Sequence, residues 1–456
     1  MNLEILTPKN IKTIVILAIA LSAGYAVTLI HPDGLSDAGR ITFGIFTTAA
    51  LLWIIEPFPL YVTSFIIVFL EVVFLGRNGG PLGLDKSGYT IFLTPFFGSV
   101  VLLFLGGFVM ASAVKRYGLD ERISRSILRH VGTRPSRVLL GMMVTTAFLS
   151  MWMSNTATTA LMIAVAIPVI KSFPHEEPFR KAIILGIPFA ANIGGIGTPI
   201  GTPPNAIAMG ILEQMGRGMS FAGWMLRGIP VVIVLLATCW VLLCRLFPAG
   251  VKNINMSIPA DEERLDHKSI FILVVFAVVV LLWLTGGIHG IPSSIVAIIP
   301  LVVFFGLGLL GDDDLKEMGW GILFIIGGGM SLGVAMKQSG LADWIVGLIP
   351  FAGMEIFLIL LLFATAAAVM TTFISNSATA NLLMPIVTGI AAVAPETSAV
   401  TVAIAASAAM ILPISTPPNA IAYGSGYVKV SDMIKGGSII TAISTVFITL
   451  FIYFLF

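Results

Sequence analysis

Ser154, Asn155 and Thr156 stand together in an otherwise apolar stretch, and Ser375, Asn376 and Ser377 repeat the arrangement in the second half of the chain. Downstream of each comes a second polar break, Thr202-Pro203-Pro204-Asn205 after the first and Thr416-Pro417-Pro418-Asn419 after the second. Ser, Thr and Asn favour the position where a helix starts. Proline removes a backbone N–H and pushes the preceding residue out of the helical region. Paired interruptions of this kind in the two halves of an apolar chain point to a ligand site near the middle of a membrane.

The chemistry open to the motifs is that of neutral groups. Residues 138–170, 356–393, 182–212 and 397–428 contain no Asp, Glu, Lys, Arg or His. Glu56 and Glu71 fall elsewhere, toward the ends of their segments. What remains is hydroxyls, amides, backbone groups and helix termini. Helix N-termini directed at one pocket present N–H groups and positive dipole ends, which suits an anion. Two facing clusters suit a ligand with an anionic group at either end. A co-bound cation would offset the desolvation of such a dianion. Side-chain oxygens of Ser150, Ser154 and Asn155 with the backbone oxygen of Gly201 form one candidate all-oxygen set. Thr371, Asn376 and the backbones of Ile374 and Ser415 form its mate. A neutral oxygen set suits Na⁺ better than Ca²⁺ or Mg²⁺, which favour carboxylates. The bland alternative for one Ser-Asn-Thr is interhelical hydrogen bonding, and for one Pro-Pro a kink. Duplication of both in matching order argues against it.

The elements that must position these residues are membrane helices. The chain is 57% hydrophobic and 11% charged, with a mean hydropathy of +1.02. Apolar segments of roughly 20 residues recur from end to end, as a polytopic all-α membrane protein requires. The segments 138–170 and 356–393 are too long for one crossing and short for two, and each has its Ser-Asn motif near the middle. Both read as re-entrant helical hairpins. The segments 182–213 and 397–425 read as crossing helices broken at their prolines. Eleven transmembrane helices plus two hairpins result. With the N-terminus cytoplasmic and the C-terminus outside, only Arg40, Arg77, Lys86, Arg217, Arg227 and Lys337 of the 25 Lys and Arg fall outside, a clear positive-inside bias. Gly106-Gly107 and Lys115 recur as Gly328-Gly329 and Lys337, so the repeat extends beyond the motifs. The expected organisation is a first segment with one helix at 1–39, repeat 1 at 40–250, a cytoplasmic connector at 251–267 and repeat 2 at 268–456. Each repeat has five crossings and a hairpin, so the second enters from the opposite face as an inverted repeat.

Other features carry less chemistry. Cys239 and Cys244 read as packing residues, and the five histidines fall in or beside polar connections. Residues 115–137 read as a basic amphipathic helix on the inner surface. Asp312-Asp313-Asp314 reads as a solvated loop, and the paired glycines as helix-packing positions. The run from Ile14 to Ile30 is long for a signal peptide and reads as an uncleaved helix. No activated nucleophile or metal set accompanies the serines, so an enzyme is not expected. Nothing indicates the continuous polar pore of a channel. A proton antiporter would want a midplane carboxylate.

The paired Ser-Asn-Thr and Thr-Pro-Pro-Asn motifs, with Glu56-Pro57-Phe58-Pro59-Leu60, resemble the divalent anion–sodium symporter family over essentially the whole chain. The resemblance implies a homodimer in the bacterial inner membrane, with a scaffold domain and a transport domain moving as an elevator. It implies that Ser154, Asn155, Thr156, Ser375, Asn376, Ser377, Thr416 and Pro417 contact substrate carboxylates. It places one Na⁺ at Ser150, Ser154, Asn155 and Gly201 and another at Thr371, Ile374, Asn376 and Ser415. The expected activity is Na⁺-coupled import of C4-dicarboxylates such as succinate, malate or fumarate. The alternative is a Na⁺-independent dicarboxylate or citrate exchanger on the same fold. Expected partners are the di- or tricarboxylate, Na⁺, membrane lipid and a second copy of the chain, with no nucleic acid. One departure is Ser377, where the family pattern usually has Thr; serine keeps the hydroxyl and loses a methyl.

Overall fold

A computed structural model describes residues 7–174, 176–254, 265–349, 351, 353–390 and 392–455. About 75% of the chain is helical, with no strand among the described residues. Helices meet their backbone hydrogen bonds internally, as a bilayer demands. Among the described residues, eight helices are long and apolar enough to cross a membrane. The eleven crossings expected from the sequence include shorter apolar helices and the two broken ones.

The first half opens with α1 (Pro8–Thr28), α2 (Asp37–Ile55) and α3 (Leu60–Phe74), then the short α4 (Thr90–Leu93) and the long α5 (Ser99–Arg116). Next come α6 (Leu119–His130), α7 (Pro135–Ser150), α8 (Asn155–Lys171), α9 (Phe179–Gly195), α10 (Pro203–Gln214) and α11 (Phe221–Leu246). The second half has α12 (His267–Leu284), the short α13 (Gly286–His289) and α14 (Ser293–Val296), α15 (Ile298–Gly306), α16 (Asp312–Lys316) and α17 (Trp320–Gln338). It closes with α18 (Leu341–Gly347), α19 (Ile356–Phe373), α20 (Asn376–Val387), α21 (Pro395–Ser407), α22 (Pro417–Gly424) and α23 (Val430–Leu455). Residues 255–264 of the expected connector lie outside the described residues.

Two corrections concern the polar connections. The basic stretch 115–137 is not one helix: Gly118 adopts a left-handed conformation (φ 63°), α6 starts after it, and Gly132 (φ 82°) follows its end. The same left-handed glycine precedes α18 at Gly340 (φ 74°). Asp312-Asp313-Asp314 forms the first turn of α16, where carboxylates offset the helix dipole, and Asp314 pairs with Arg116 of α5.

Burial sorts the helices. Ile14, Ile19 and Tyr25 of α1 are exposed, and so are Val274, Val278 and Leu281 of α12. Water would solvate these apolar faces poorly, and a bilayer suits them. By contrast Phe104, Val109 and Met110 of α5 and Ile326, Leu332 and Met336 of α17 are buried, so those two helices stand at the centre. Cys239 is buried and Cys244 half-buried, both as free thiols.

The packing around the breaks is crossed. The hairpin α7–α8 lies on α9, and its return arm α8 also packs on α22 from the other half. The hairpin α19–α20 lies on α21, and its return arm α20 packs on α10. Each hairpin therefore braces broken helices of both halves, and the four polar breaks meet.

Candidate functional site

Each Ser-Asn motif starts a helix. Ser154 caps α8 by accepting from Ala157 N (3.2 Å), and Ser375 caps α20 by accepting from Ala378 N (3.1 Å). Asn155 and Asn376 then occupy the first turns, at the dipole end where an anion is favoured. Each asparagine side chain turns back toward the arm it left. Ser150 Oγ, at the end of α7, lies 2.6 Å from Asn155 Oδ1 and 2.8 Å from the Ala191 carbonyl. Thr371 Oγ1 donates to Asn376 Oδ1 at 2.5 Å.

The proline breaks supply backbone. Helix α9 stops at Gly195 and the chain resumes helically at Pro203; α21 stops at Ser407 and α22 starts at Pro417. Side chains take several of the carbonyls that the breaks free. Asn205 Nδ2 donates to Gly195 O (2.9 Å) and Thr198 O (2.8 Å), and Trp224 Nε1 donates to Ile196 O (3.0 Å). In the second half Asn419 Nδ2 donates to Leu412 O (3.0 Å), and Ser415 Oγ ties the unwound segment to the end of α19 by donating to Thr372 O (3.0 Å). The role of the Asn in Thr-Pro-Pro-Asn is thus to hold the unwound segment. Gly195 lies close to both the Asn155 side chain and the Gly201 carbonyl, with no room for a Cβ. A Cβ on Gly195 would stand 2.7 Å from Asn155 Oδ1 and 3.0 Å from Gly201 O.

All four breaks line one cavity of about 720 Å³. Its wall includes Ser154, Asn155, Thr156, Ser375, Asn376, Ser377, Thr416 and Pro417, together with Gly201, Ile374 and Ser415. Ser150 and Thr371 are fully buried behind it. The structure therefore brings together the residues expected to contact substrate and Na⁺. The crossed packing of α8 on α22 and of α20 on α10 is what closes the distance between the halves.

Two wall residues, Glu56 and Asn192, were not assigned to the site by the sequence, while Glu71 lies outside it as expected. Glu56 lines the cavity, so the site is not free of ionisable groups. It is the one non-glycine residue with left-handed backbone (φ 48°) among the described residues, and that turn between α2 and α3 brings it there. The signal was present in Glu-Pro, since the residue before proline leaves the helix. Asn192 of α9 is fully buried on the wall and donates to Thr416 Oγ1 (3.2 Å). A lone amide among apolar residues was the only hint. Glu71 is fully buried between α3 and α17 beside Ser331, away from the cavity wall. No Lys, Arg or His is among the described lining residues.

Comparison with known proteins matches residues 8–456 to the family model described as the sodium:sulfate symporter transmembrane region. The chain belongs to the sodium:sulfate symporter family. Within this divalent anion–sodium symporter family it is 32% identical to the sodium-dependent dicarboxylate transporter SdcS of Staphylococcus saprophyticus, over 94% of this chain and 88% of that protein. It is also 32% identical to SdcS of a Staphylococcus aureus strain, over 93% and 87% of the two chains. The crystal structure of the Alcanivorax borkumensis YdaH transporter superimposes with a TM-score of 0.61 at 14% identity, covering 90% of this chain and 98% of that one, and shares the fold. Family membership, with relatives named as transporters, makes this chain a multi-pass membrane transporter and not an enzyme.

Proposed function

We propose that the chain imports C4-dicarboxylates, such as succinate, malate or fumarate, coupled to Na⁺. The observation that carries this is the convergence of both Ser-Asn motifs and both Thr-Pro-Pro-Asn breaks on one cavity without a fixed cation among its described lining residues. Relatives named as sodium-dependent dicarboxylate transporters support it. Ser154, Asn155, Thr156, Ser375, Asn376 and Ser377 offer donors to a carboxylate at either end, with Thr416 and Pro417 beside them.

The coupling follows from the amide. Ser150 has one hydroxyl proton and two oxygens within reach, Asn155 Oδ1 and Ala191 O. Na⁺ among Ser150, Ser154, Asn155 and Gly201 would hold Asn155 Oδ1 toward the metal and leave Nδ2 free to donate to substrate. A second Na⁺ at Thr371, Ile374, Asn376 and Ser415 would do the same for Asn376. The cations bring the opposite charge that a dianion in low dielectric requires.

In this reading the halves 40–250 and 268–456 are an inverted repeat joined by the connector 251–267, after the first segment 1–39. The hairpins and broken helices move as an elevator against a scaffold built on α5 and α17, in a homodimer of the bacterial inner membrane. The N-terminus faces the cytoplasm and the C-terminus the outside. The test is radiolabelled succinate uptake into proteoliposomes with and without an imposed Na⁺ gradient. Na⁺-driven accumulation is expected; equal counter-exchange in choline buffer would replace symport with exchange.

A further inference from the structure

We infer that Asn192 is a positioning residue that makes the Thr416 hydroxyl an obligate donor to the bound anion. The inference rests on the reading of Thr416 as a carboxylate contact. It follows from counting protons. The Leu412 carbonyl can only accept, so Asn419 must turn its Nδ2 toward it (3.0 Å). Asn419 Oδ1 then faces Asn192, which must present Nδ2 in return (3.4 Å). The same Nδ2 donates to Thr416 Oγ1 at 3.2 Å, and Asn419 N donates to that oxygen at 3.3 Å. Thr416 Oγ1 thus accepts twice and has spent both lone pairs. Its one proton has no acceptor among the described residues, and Thr416 lines the cavity while being only 3% exposed.

The arrangement is one-sided. Thr202, the matching threonine of the first half, caps nothing with its side chain. At the offset that relates Thr202 to Thr416, the counterpart of Asn192 is Ala406, so the second half offers Thr202 no equivalent amide. Asn192 Oδ1 is itself buried without a partner. An amide kept only for packing would be costly in that state, since a buried unsatisfied acceptor loses its water for nothing. Asn192 also follows Ala191, whose carbonyl lies 2.8 Å from Ser150 Oγ. The polarity of Thr416 is thereby set from the wall that carries the first cation site.

The test compares wild type with Asn192→Ala, Asn192→Ser, Asn192→Asp, Thr416→Val and the Asn192→Ala/Thr416→Val pair. Two readouts serve, succinate uptake kinetics and the rise in Tm on adding succinate or sulfate to purified protein. Asn192→Ala should raise the succinate KM about tenfold with the Na⁺ half-saturation within about twofold, the scale of one hydrogen bond to a charged group. Asn192→Ser, which keeps a donor, should recover part of the loss. Asn192→Asp should lose most, because its carboxylate takes the Thr416 proton. The pair should be no worse than Thr416→Val alone, since coupled residues are not additive. Multiplying effects in the pair, or a wild-type KM in Asn192→Asp, would overturn the inference. A wild type that sulfate or succinate stabilises but that does not accumulate succinate sinks the transport reading alone. The Tm shifts of the same variants, with the same expected order, then decide the role of Asn192. A wild type that neither anion stabilises overturns both.

Discussion

The Ser150 hydroxyl lies 2.6 Å from the Asn155 side-chain oxygen, and Thr371 stands in the same relation to Asn376 at 2.5 Å. The two pairs occupy matching places in the two halves, and each joins the arms of one hairpin. If these oxygens ligate Na⁺, losing one ligand weakens the cation before it weakens the anion. Ser150→Ala should raise the Na⁺ concentration for half-maximal uptake by about tenfold, the scale of one lost polar contact to a charge. Asn155→Ala should abolish coupled uptake, because it removes a cation ligand and an anion donor together. Full activity of Asn155→Ala in proteoliposomes would remove the proposed site.

Gly201 is held by contact with backbone, which cannot swing aside. A Cβ there would stand 2.4 Å from the Gly195 carbonyl oxygen. Gly201→Ala should open the turn, lower Tm by several degrees and leave little uptake. Gly424→Ala, at a helical glycine with open space around it, should leave both unchanged. The pair of variants, measured by thermal melts and uptake, separates a local steric effect from a general intolerance of alanine.

Asn205 serves the break and not the ligand. Its Nδ2 holds Gly195 O and Thr198 O, and Asn205→Ala leaves both buried carbonyls short of a donor. A loss of about 1–3 kcal/mol per orphaned group is expected. The signature is a lower Tm in the absence of any ligand, recovered in part at high Na⁺ and succinate by mass action. An unchanged Tm would assign the turn's shape to other contacts.

Glu56 places a carboxylate on the wall of a cavity whose other described lining residues carry no charge. Glu56→Gln keeps the side-chain length and the left-handed turn while removing the charge. Its removal should lower the succinate KM by roughly two- to fivefold and raise the Na⁺ half-saturation by a similar factor, since surface-type charge effects are of this modest size. Added choline chloride should shrink both shifts, as screening predicts. A higher succinate KM in Glu56→Gln would mean that the carboxylate holds the site's shape and does not act by charge.

Much of this protein was legible because its signals are local. An apolar run long enough to cross a bilayer is a property of consecutive residues, and so are a serine that caps a helix and a Thr-Pro-Pro that interrupts one. Ser154, Asn155, Ser375, Asn376, Thr416 and Gly201 could therefore be chosen from the residue string, with the hairpins and breaks that carry them. The tertiary structure alone decided what those breaks face. Glu56 comes to the cavity through a left-handed turn that lies far upstream of the first motif. Asn192 reaches Thr416 from the opposite half of the chain, and α8 packs on α22 in the same way. Which amide presents its N–H, and which threonine keeps its proton for a ligand, depends on partners that only the folded chain brings within hydrogen-bond reach. Hydrogen-bond polarity passes from neighbour to neighbour in space, and no spacing along the chain encodes it.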